Sequence, residues 1–175
     1  MLTIIGNGEH AAVIRDAANE QWYIARRTEK EGSIIGIGNP IRRRHVATTS
    51  TSCEWITVVH PSATVSEKAV LFPGVFVGSG AVINTGAQIG QHAIINSGAI
   101  VEHDVTVGEF VNVNPGVAIG GGARIGDGTV LGLGCRVRDH ITIGRNVTVG
   151  MGAVVVCDVP DGVTVIGCPA REMLP

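Results

Sequence analysis

A six-residue repeat runs without interruption through most of this 175-residue chain. Stepping by six from Val59 to Val155 meets an aliphatic residue every time, and the residue four positions after each is small or β-branched. This period matches neither the spacing of an α-helix nor the alternation of a simple strand. It predicts a short strand and a turn, repeated, so that three sides close a triangular coil. Successive coils would stack by parallel strand pairing about 4.8 Å apart.

The composition agrees with a core built from thin layers of small side chains. Aromatic residues make up 3% of the chain, and 25 residues are glycine. The position directly after each aliphatic residue is often Gly or Asn, which tolerate positive φ best. We therefore expect a sharp corner, with positive φ, at that position of each repeat.

Residues 1–58 lie outside the repeat and read as a small α/β unit. Residues 2–5 are predicted as a strand, residues 11 to about 21 as a helix and residues 33–38 as a second strand. Between the first two lies a turn that contains Gly6, Gly8 and His10. A strand, a glycine turn and a helix start can bind phosphate, because free backbone amides and the helix dipole point at the ligand. The piece is predicted to be a truncated Rossmann-like βαβ unit.

The net charge and the spacing of the cysteines argue against several classes of protein. A net charge of −2 gives no case for binding nucleic acid or an anionic membrane. The four cysteines lack metal-ligand spacing, and we find no signal peptide or membrane span. This predicts a cytoplasmic protein with reduced cysteines and no metal site. The basic cluster at residues 42–44 is interpreted as a solvated loop.

Three motifs resemble those of one enzyme family. They are the G-x-G-x-H turn at residues 6–10, the Val-His-Pro-Ser-Ala start of the repeat at residues 59–63, and Asn-Ser-Gly-Ala-Ile-Val-Glu-His-Asp at residues 96–104. Together with the repeat they resemble the hexapeptide-repeat sugar O- and N-acetyltransferases of the NeuD/PglD type. Two positions depart from that pattern: Glu9 stands where a second glycine is usual, and Asn112 where some relatives carry a second histidine.

The resemblance implies a fold, an activity and an assembly. The fold would be a left-handed parallel β-helix over residues 59–160, followed by a C-terminal capping segment over residues 161–175. The activity would be transfer of an acetyl group from acetyl-CoA, without a metal, to a nucleotide-linked 4-amino sugar in surface-glycan biosynthesis. O-acetylation of sialic acid, or of another small hydroxyl acceptor, is the alternative. The resemblance further implies a homotrimer.

Acetyl transfer requires a base for the acceptor and a donor for the oxyanion. Histidine suits the base, because its pKa lies near neutrality, and His103 lies between the acids Glu102 and Asp104. Either acid could orient the ring only near a corner, because sequence neighbours point oppositely in a strand. The resemblance makes His103 the base and Asp104 the residue that orients it. We expect His92 and His140 to face solvent.

The remaining predicted site residues follow from stacking and from the resemblance. Gly121 comes eighteen residues after His103, so stacking should place its amide one coil further along the solenoid. The resemblance assigns Gly121 to acetyl-CoA contact, and we place Asn112 with it. It also assigns Gly6, Gly8 and His10 to the sugar substrate.

Two other interpretations remain open from the sequence. One is a different acyltransferase on the same solenoid, such as a serine acetyltransferase, although the helical N-terminal domain usual there is absent. The other is a non-enzymatic β-solenoid scaffold. A regular threonine or charge ladder would favour a scaffold, and the exposed positions show none.

Overall fold

The computed structural model of the chain describes residues 2–19, 23–24 and 32–173. Two helices occupy Glu9–Asn19 (α1) and Pro40–Thr49 (α2). The strands are Leu2–Ile5 (β1), Tyr23–Ile24 (β2), Gly32–Ile35 (β3), Val58–Val59 (β4), Thr64–Val65 (β5), Val70–Leu71 (β6), Phe76–Val77 (β7), Val82–Ile83 (β8), Gln88–Ile89 (β9), Ile94–Ile95 (β10), Ile100–Val101 (β11), Thr106–Val107 (β12), Asn112–Val113 (β13), Ala118–Ile119 (β14), Arg124–Ile125 (β15), Val130–Leu131 (β16), Arg136–Val137 (β17), Thr142–Ile143 (β18), Thr148–Val149 (β19), Val154–Val155 (β20), Thr164–Ile166 (β21) and Arg171–Glu172 (β22).

The six-residue period is a triangular parallel solenoid, as predicted. Its strands form three sheets among the described residues. Sheet I contains β4, β7, β10, β13, β16, β19 and β21, with β2 and β22 at its ends; sheet II contains β5, β8, β11, β14, β17 and β20; sheet III contains β6, β9, β12, β15 and β18. Paired residues are eighteen apart, as in Ile95 with Val113 and Val101 with Ile119, and the repeated aliphatic residues fill the interior.

The expectation of positive φ directly after the aliphatic residue is wrong. The positive φ angles fall two residues later, as at Gly80 (φ 64°) and Gly98 (φ 65°). The glycine directly after the aliphatic residue is needed instead because neighbouring coils lie close together at this position. A Cβ on Gly90 would lie 2.6 Å from the backbone carbon of Gly108, one coil away. The corner coils thus stack too closely there for a side chain.

The N-terminal piece is a βαβ unit, because β1 and β3 pair in parallel with α1 between them. Helix α1 begins two residues before its predicted start, and residues 20–22, near its predicted end, lie outside the described part of the chain. Residues 42–44 are helical rather than a loop. Asn39 caps α2 by accepting a hydrogen bond from the Arg42 N–H, and Pro40 occupies the first turn, where a missing N–H costs nothing.

The N-terminal unit packs on the outer face of sheet I. Ile14 and Ile34 form a second buried cluster with Val58, Phe76 and Ile94, which point outward from β4, β7 and β10. This face of the solenoid is therefore covered by the chain's own N-terminal segment. Neither α1 nor α2, the helices of the described residues, is long and apolar enough to cross a bilayer.

Candidate active site

The His103 side chain stands at the corner where sheets II and III meet, in the turn between β11 and β12. Asp104 adopts a left-handed conformation (φ 59°), and its Oδ2 lies 3.0 Å from His103 Nδ1. The carboxylate therefore accepts a hydrogen bond from the Nδ1–H group, which leaves the lone pair on Nε2. The corner geometry that an orienting acid requires is present.

The acids around His103 favour its charged form. The hydrogen bond to Asp104 is the main cause that raises the pKa of His103 above its ordinary value, and the charges of Asp104 and Glu102 add to it. Glu102 is held by a hydrogen bond from Asn84 Nδ2 at 3.0 Å. About half of the His103 side chain is exposed, so a substrate can reach the ring.

The structure brings Gly121 directly against His103. A Cβ on Gly121 would lie 2.6 Å from His103 Nε2 and 2.7 Å from Cε1, so only glycine leaves space for the ring. The neighbouring Gly122 N–H donates to His103 O at 2.9 Å. By contrast, the Gly121 N–H donates to no acceptor in the described part of the chain. An unpaired amide thus lies beside the free ring nitrogen of His103.

Gly86 lies one coil before the His103–Asp104 pair, whereas Gly121 lies one coil after it. The sequence analysis did not predict a role for Gly86. A Cβ there would overlap the Oδ1 atom of Asp104, and Asp104 N donates to Thr85 O at 3.0 Å. Glycine thus leaves room for the orienting acid as well as for the base. Stepping back eighteen residues from Asp104 would have found it.

Asn112 occupies a different side of the molecule. It is buried on sheet I, where its Oδ1 accepts from Arg43 at 2.6 Å and its Nδ2 donates to Gly38 O at 2.7 Å. Both polar atoms of the amide are engaged, and the structure does not bring Asn112 to His103. Asn112 thus ties the solenoid to the N-terminal unit, and its contact with acetyl-CoA stays a prediction.

The interpretation of the basic cluster as solvated is wrong for Arg43, which is 1% exposed. Among the residues that the structure describes, its guanidinium donates only to neutral oxygens, and burial lowers its pKa to about 9. The acceptors are the carbonyls of Ile37, Gly38, His92 and Phe110 and the side chain of Asn112. Arg43 thus joins α2 to two successive coils of the solenoid.

The expectation that His92 faces solvent is also wrong. The ring is 2% exposed and stacks on Phe110 at a centroid distance of 5.2 Å, with the edge of Trp55 against it. Burial and, secondarily, the charge of Arg43 lower the pKa of His92 to about 4. The residue is therefore neutral and belongs to the interface with the N-terminal unit.

The glycine turn of the N-terminal unit is open beside the start of α1. Gly6 has φ 124°, and a Cβ there would lie 3.0 Å from Gly36 O, so the turn requires glycine at this point. No atom lies within 4 Å of a Cβ built on Gly8, whose carbonyl accepts from Ala12 N in the first turn of α1. The side of the turn toward which a Gly8 side chain would point is thus open.

His10 lies in the first turn of α1 and packs edge-on against Phe76 at 5.2 Å. Its Nε2 is buried, without a hydrogen-bond partner among the described residues. Burial, then the charge of Arg43, lowers the pKa of His10 to about 4. The ring is therefore neutral.

The predicted acceptor residues and the predicted base lie on opposite sides of one chain. His10 contacts Phe76 on the outer face of sheet I, whereas His103 stands at the corner between sheets II and III. In a triangular coil, side I lies opposite that corner. No group of three or more His, Cys, Asp or Glu residues that could hold a metal occurs within the described ranges.

Comparison with known proteins identifies the family. Residues 55–149 match the family model described as the GMPPB C-terminal domain, so this half of the chain belongs to that family. The acetyltransferase domain of PglB from Neisseria gonorrhoeae is 31% identical, with a TM-score of 0.91 and 98% of each chain covered. The chain belongs to the hexapeptide-repeat acetyltransferases of the NeuD/PglD type. Membership in this family indicates that the solenoid is left-handed.

Two further solved structures are about as similar, and a third is more distant. The PglB domain is also known in complex with acetyl-CoA, with the same scores. A point mutant of perosamine N-acetyltransferase from Caulobacter crescentus, in complex with CoA and GDP-perosamine, is 32% identical with a TM-score of 0.90, and 99% of this chain and 97% of that chain are covered. WeeI from Acinetobacter baumannii, 20% identical with a TM-score of 0.75, shares the fold. No curated protein matches this chain significantly.

Proposed function

We propose that this acetyltransferase transfers the acetyl group of acetyl-CoA to the amine of a nucleotide-linked amino sugar, with a 4-amino sugar as the first choice. One observation carries the proposal. The His103–Asp104 pair stands beside the bare Gly121 backbone, in a chain 32% identical to a perosamine N-acetyltransferase solved with CoA and GDP-perosamine. Such products serve in the synthesis of surface glycans.

We assign a step to each residue of this site. The sugar amine attacks the thioester carbonyl carbon while His103 Nε2, whose lone pair is free, takes the ammonium proton. Asp104 stabilises the imidazolium that forms. The Gly121 N–H, which has no acceptor in the described part of the chain, donates to the developing oxyanion. The carbon–sulfur bond then breaks, and CoA thiolate leaves.

We assign the acceptor to the N-terminal unit of residues 1–58. Gly6 permits the turn, and Gly8 leaves space beside the start of α1 for a phosphate group, which the helix dipole attracts. His10 lies in the first turn of the same helix, and we assign it to the same ligand. Residues 59–160 would hold acetyl-CoA and the base, and residues 161–175 would close the end of the solenoid.

A complete site requires more than one copy of the chain. Within one chain, the N-terminal unit covers the face opposite His103, so the acceptor it holds must reach the His103 corner of a neighbour. We propose a homotrimer, the assembly that the family resemblance implies. Each site would then combine the base of one subunit with the acceptor-binding unit of another.

We place the enzyme in the cytoplasm, where both charged nucleotide substrates are available. All four cysteines are free in the structure, which is usual in a reducing compartment. Neither partner in this proposal is a nucleic acid or a membrane.

A thiol-release assay tests the function. The purified protein is given acetyl-CoA and a panel of UDP-, dTDP- and GDP-linked amino sugars, with sialic acid and serine as control acceptors. Turnover of an amino sugar, with an amide in the product, supports the proposal. Turnover of sialic acid or serine alone would replace it with O-acetylation, and binding of no acyl-CoA would favour a scaffold.

A further inference from the structure

A second histidine–aspartate pair lies at the same corner as His103, two coils further along. His140 Nε2 is 3.9 Å from Asp139 Oδ2, and both side chains are mostly exposed. His140 is held in a left-handed conformation (φ 55°), and its backbone N–H donates to Gly121 O at 2.9 Å. Between the two pairs lies the coil whose corner is Gly120, Gly121 and Gly122.

The His140 ring folds back over this glycine corner. A Cβ on Gly122 would lie 2.5 Å from His140 Nδ1 and 2.8 Å from Cε1. On the neighbouring residue, a Cβ on Gly121 would lie 2.6 Å from His103 Nε2. The α-carbons of consecutive residues are about 3.8 Å apart. The two imidazoles therefore approach the same short stretch of backbone from opposite coils.

The two pairs expose opposite ring nitrogens there. Asp104 engages Nδ1 of His103 and leaves Nε2 toward Gly121, whereas Asp139 faces Nε2 of His140 and leaves Nδ1 toward Gly122. His103, when neutral, has a lone pair on Nε2 and can accept a proton there, whereas His140 can donate a proton from Nδ1 when both of its ring nitrogens are protonated. In the tetrahedral intermediate of acetyl transfer, the amine nitrogen and the thioester sulfur are bonded to the same carbon, so a base and an acid for them must be close neighbours.

We propose that His140 is the general acid that protonates the departing CoA thiolate; this inference rests on the proposed function. As the carbon–sulfur bond breaks, the sulfur takes a proton from Nδ1 of the His140 imidazolium, whose charge Asp139 stabilises. His103 has meanwhile taken one proton from the amine. The products are the amide and free CoA thiol, and the two rings regain their starting states by proton exchange with water.

The substitution that tests this is His140→Asn, because asparagine tolerates the left-handed backbone and cannot transfer a proton. The matched control is His45→Asn, which removes an exposed histidine on α2. Both variants and the wild type are assayed with acetyl-CoA and with an acetyl aryl thioester, whose thiolate leaves without protonation. Thermal melting confirms that each variant is folded.

We expect His140→Asn to lower kcat with acetyl-CoA about 10²-fold and to leave the rate with the aryl thioester nearly unchanged. His45→Asn should match the wild type with both donors. Equal losses with both donors, or no loss with either, would overturn the acid role while wild-type turnover still supports the proposed function. A wild type inactive with acetyl-CoA and every amino sugar would overturn both.

Discussion

The contact between Gly121 and the His103 ring makes Gly121→Ala a sensitive probe of the base. The added methyl carbon would lie 2.6 Å from Nε2, whereas ordinary contacts begin at 3.4 Å. The ring must therefore move by about 0.8 Å, and a displacement of about 1 Å at a reacting group can cost about 10²-fold in rate. Gly121 has an ordinary φ, so alanine introduces no backbone strain. We expect kcat to fall about 10²-fold with an unchanged melting temperature.

A control glycine separates this effect from a general loss of stability. Gly80 has φ 64°, and no atom lies within 4 Å of a Cβ built on it. Gly80→Ala should therefore cost about 1–2 kcal/mol of stability through backbone strain and leave kcat unchanged. Steady-state kinetics and thermal melting of both variants provide the comparison. Full activity of Gly121→Ala would show that the contact with Gly121 does not position the His103 ring. A decrease in activity that only parallels a decrease in folded protein would show the same.

Three further predictions concern the base, the buried histidines and the assembly. Asp104→Asn removes the main cause that raises the pKa of His103, so the acidic limb of the kcat/KM profile should move to lower pH with a lower plateau; an unmoved limb would contradict this. The pKa values of His10 and His92 are about 4 in the folded protein and 6.5 in the unfolded chain. The free energy of unfolding is therefore unaffected by these two residues above pH 6.5. It decreases as the pH falls toward 4, by about 2 kcal/mol for each residue near pH 5. Urea unfolding should show this decline, and His92→Phe should remove about half of it. The His103→Ala and Gly8→Leu variants should each be inactive alone. Mixed oligomers formed by exchanging subunits between the two variants should regain turnover. A mixture that stays inactive would place the complete site within one chain.

The solenoid could be predicted because its period is a property of the sequence alone. Each aliphatic residue from Val77 to Val155 occupies the same interior position in successive coils, so one rule describes about a hundred residues. The backbone conformation was harder to assign. Glycine serves two needs in this fold, positive φ at Gly80 and close stacking at Gly90, and composition does not distinguish them.

The contacts between the solenoid and the N-terminal unit could not be predicted from the repeat. The sequence around Arg43 is typical of a surface residue. The five oxygens that its guanidinium binds come together only when α2 packs on sheet I. The same docking buries His92 and engages Asn112. By contrast, Gly86 and His140 lie at multiples of eighteen residues from Asp104 and Gly122, so the stacking rule could have found them.

The most direct test of this account is thiol release from acetyl-CoA by the wild type and by His103→Ala, with the amino sugar that the panel identifies. We expect the wild type to acetylate the amine and the variant to lose turnover while it still binds acetyl-CoA. Retained turnover in the variant would contradict the assignment of His103 as the base.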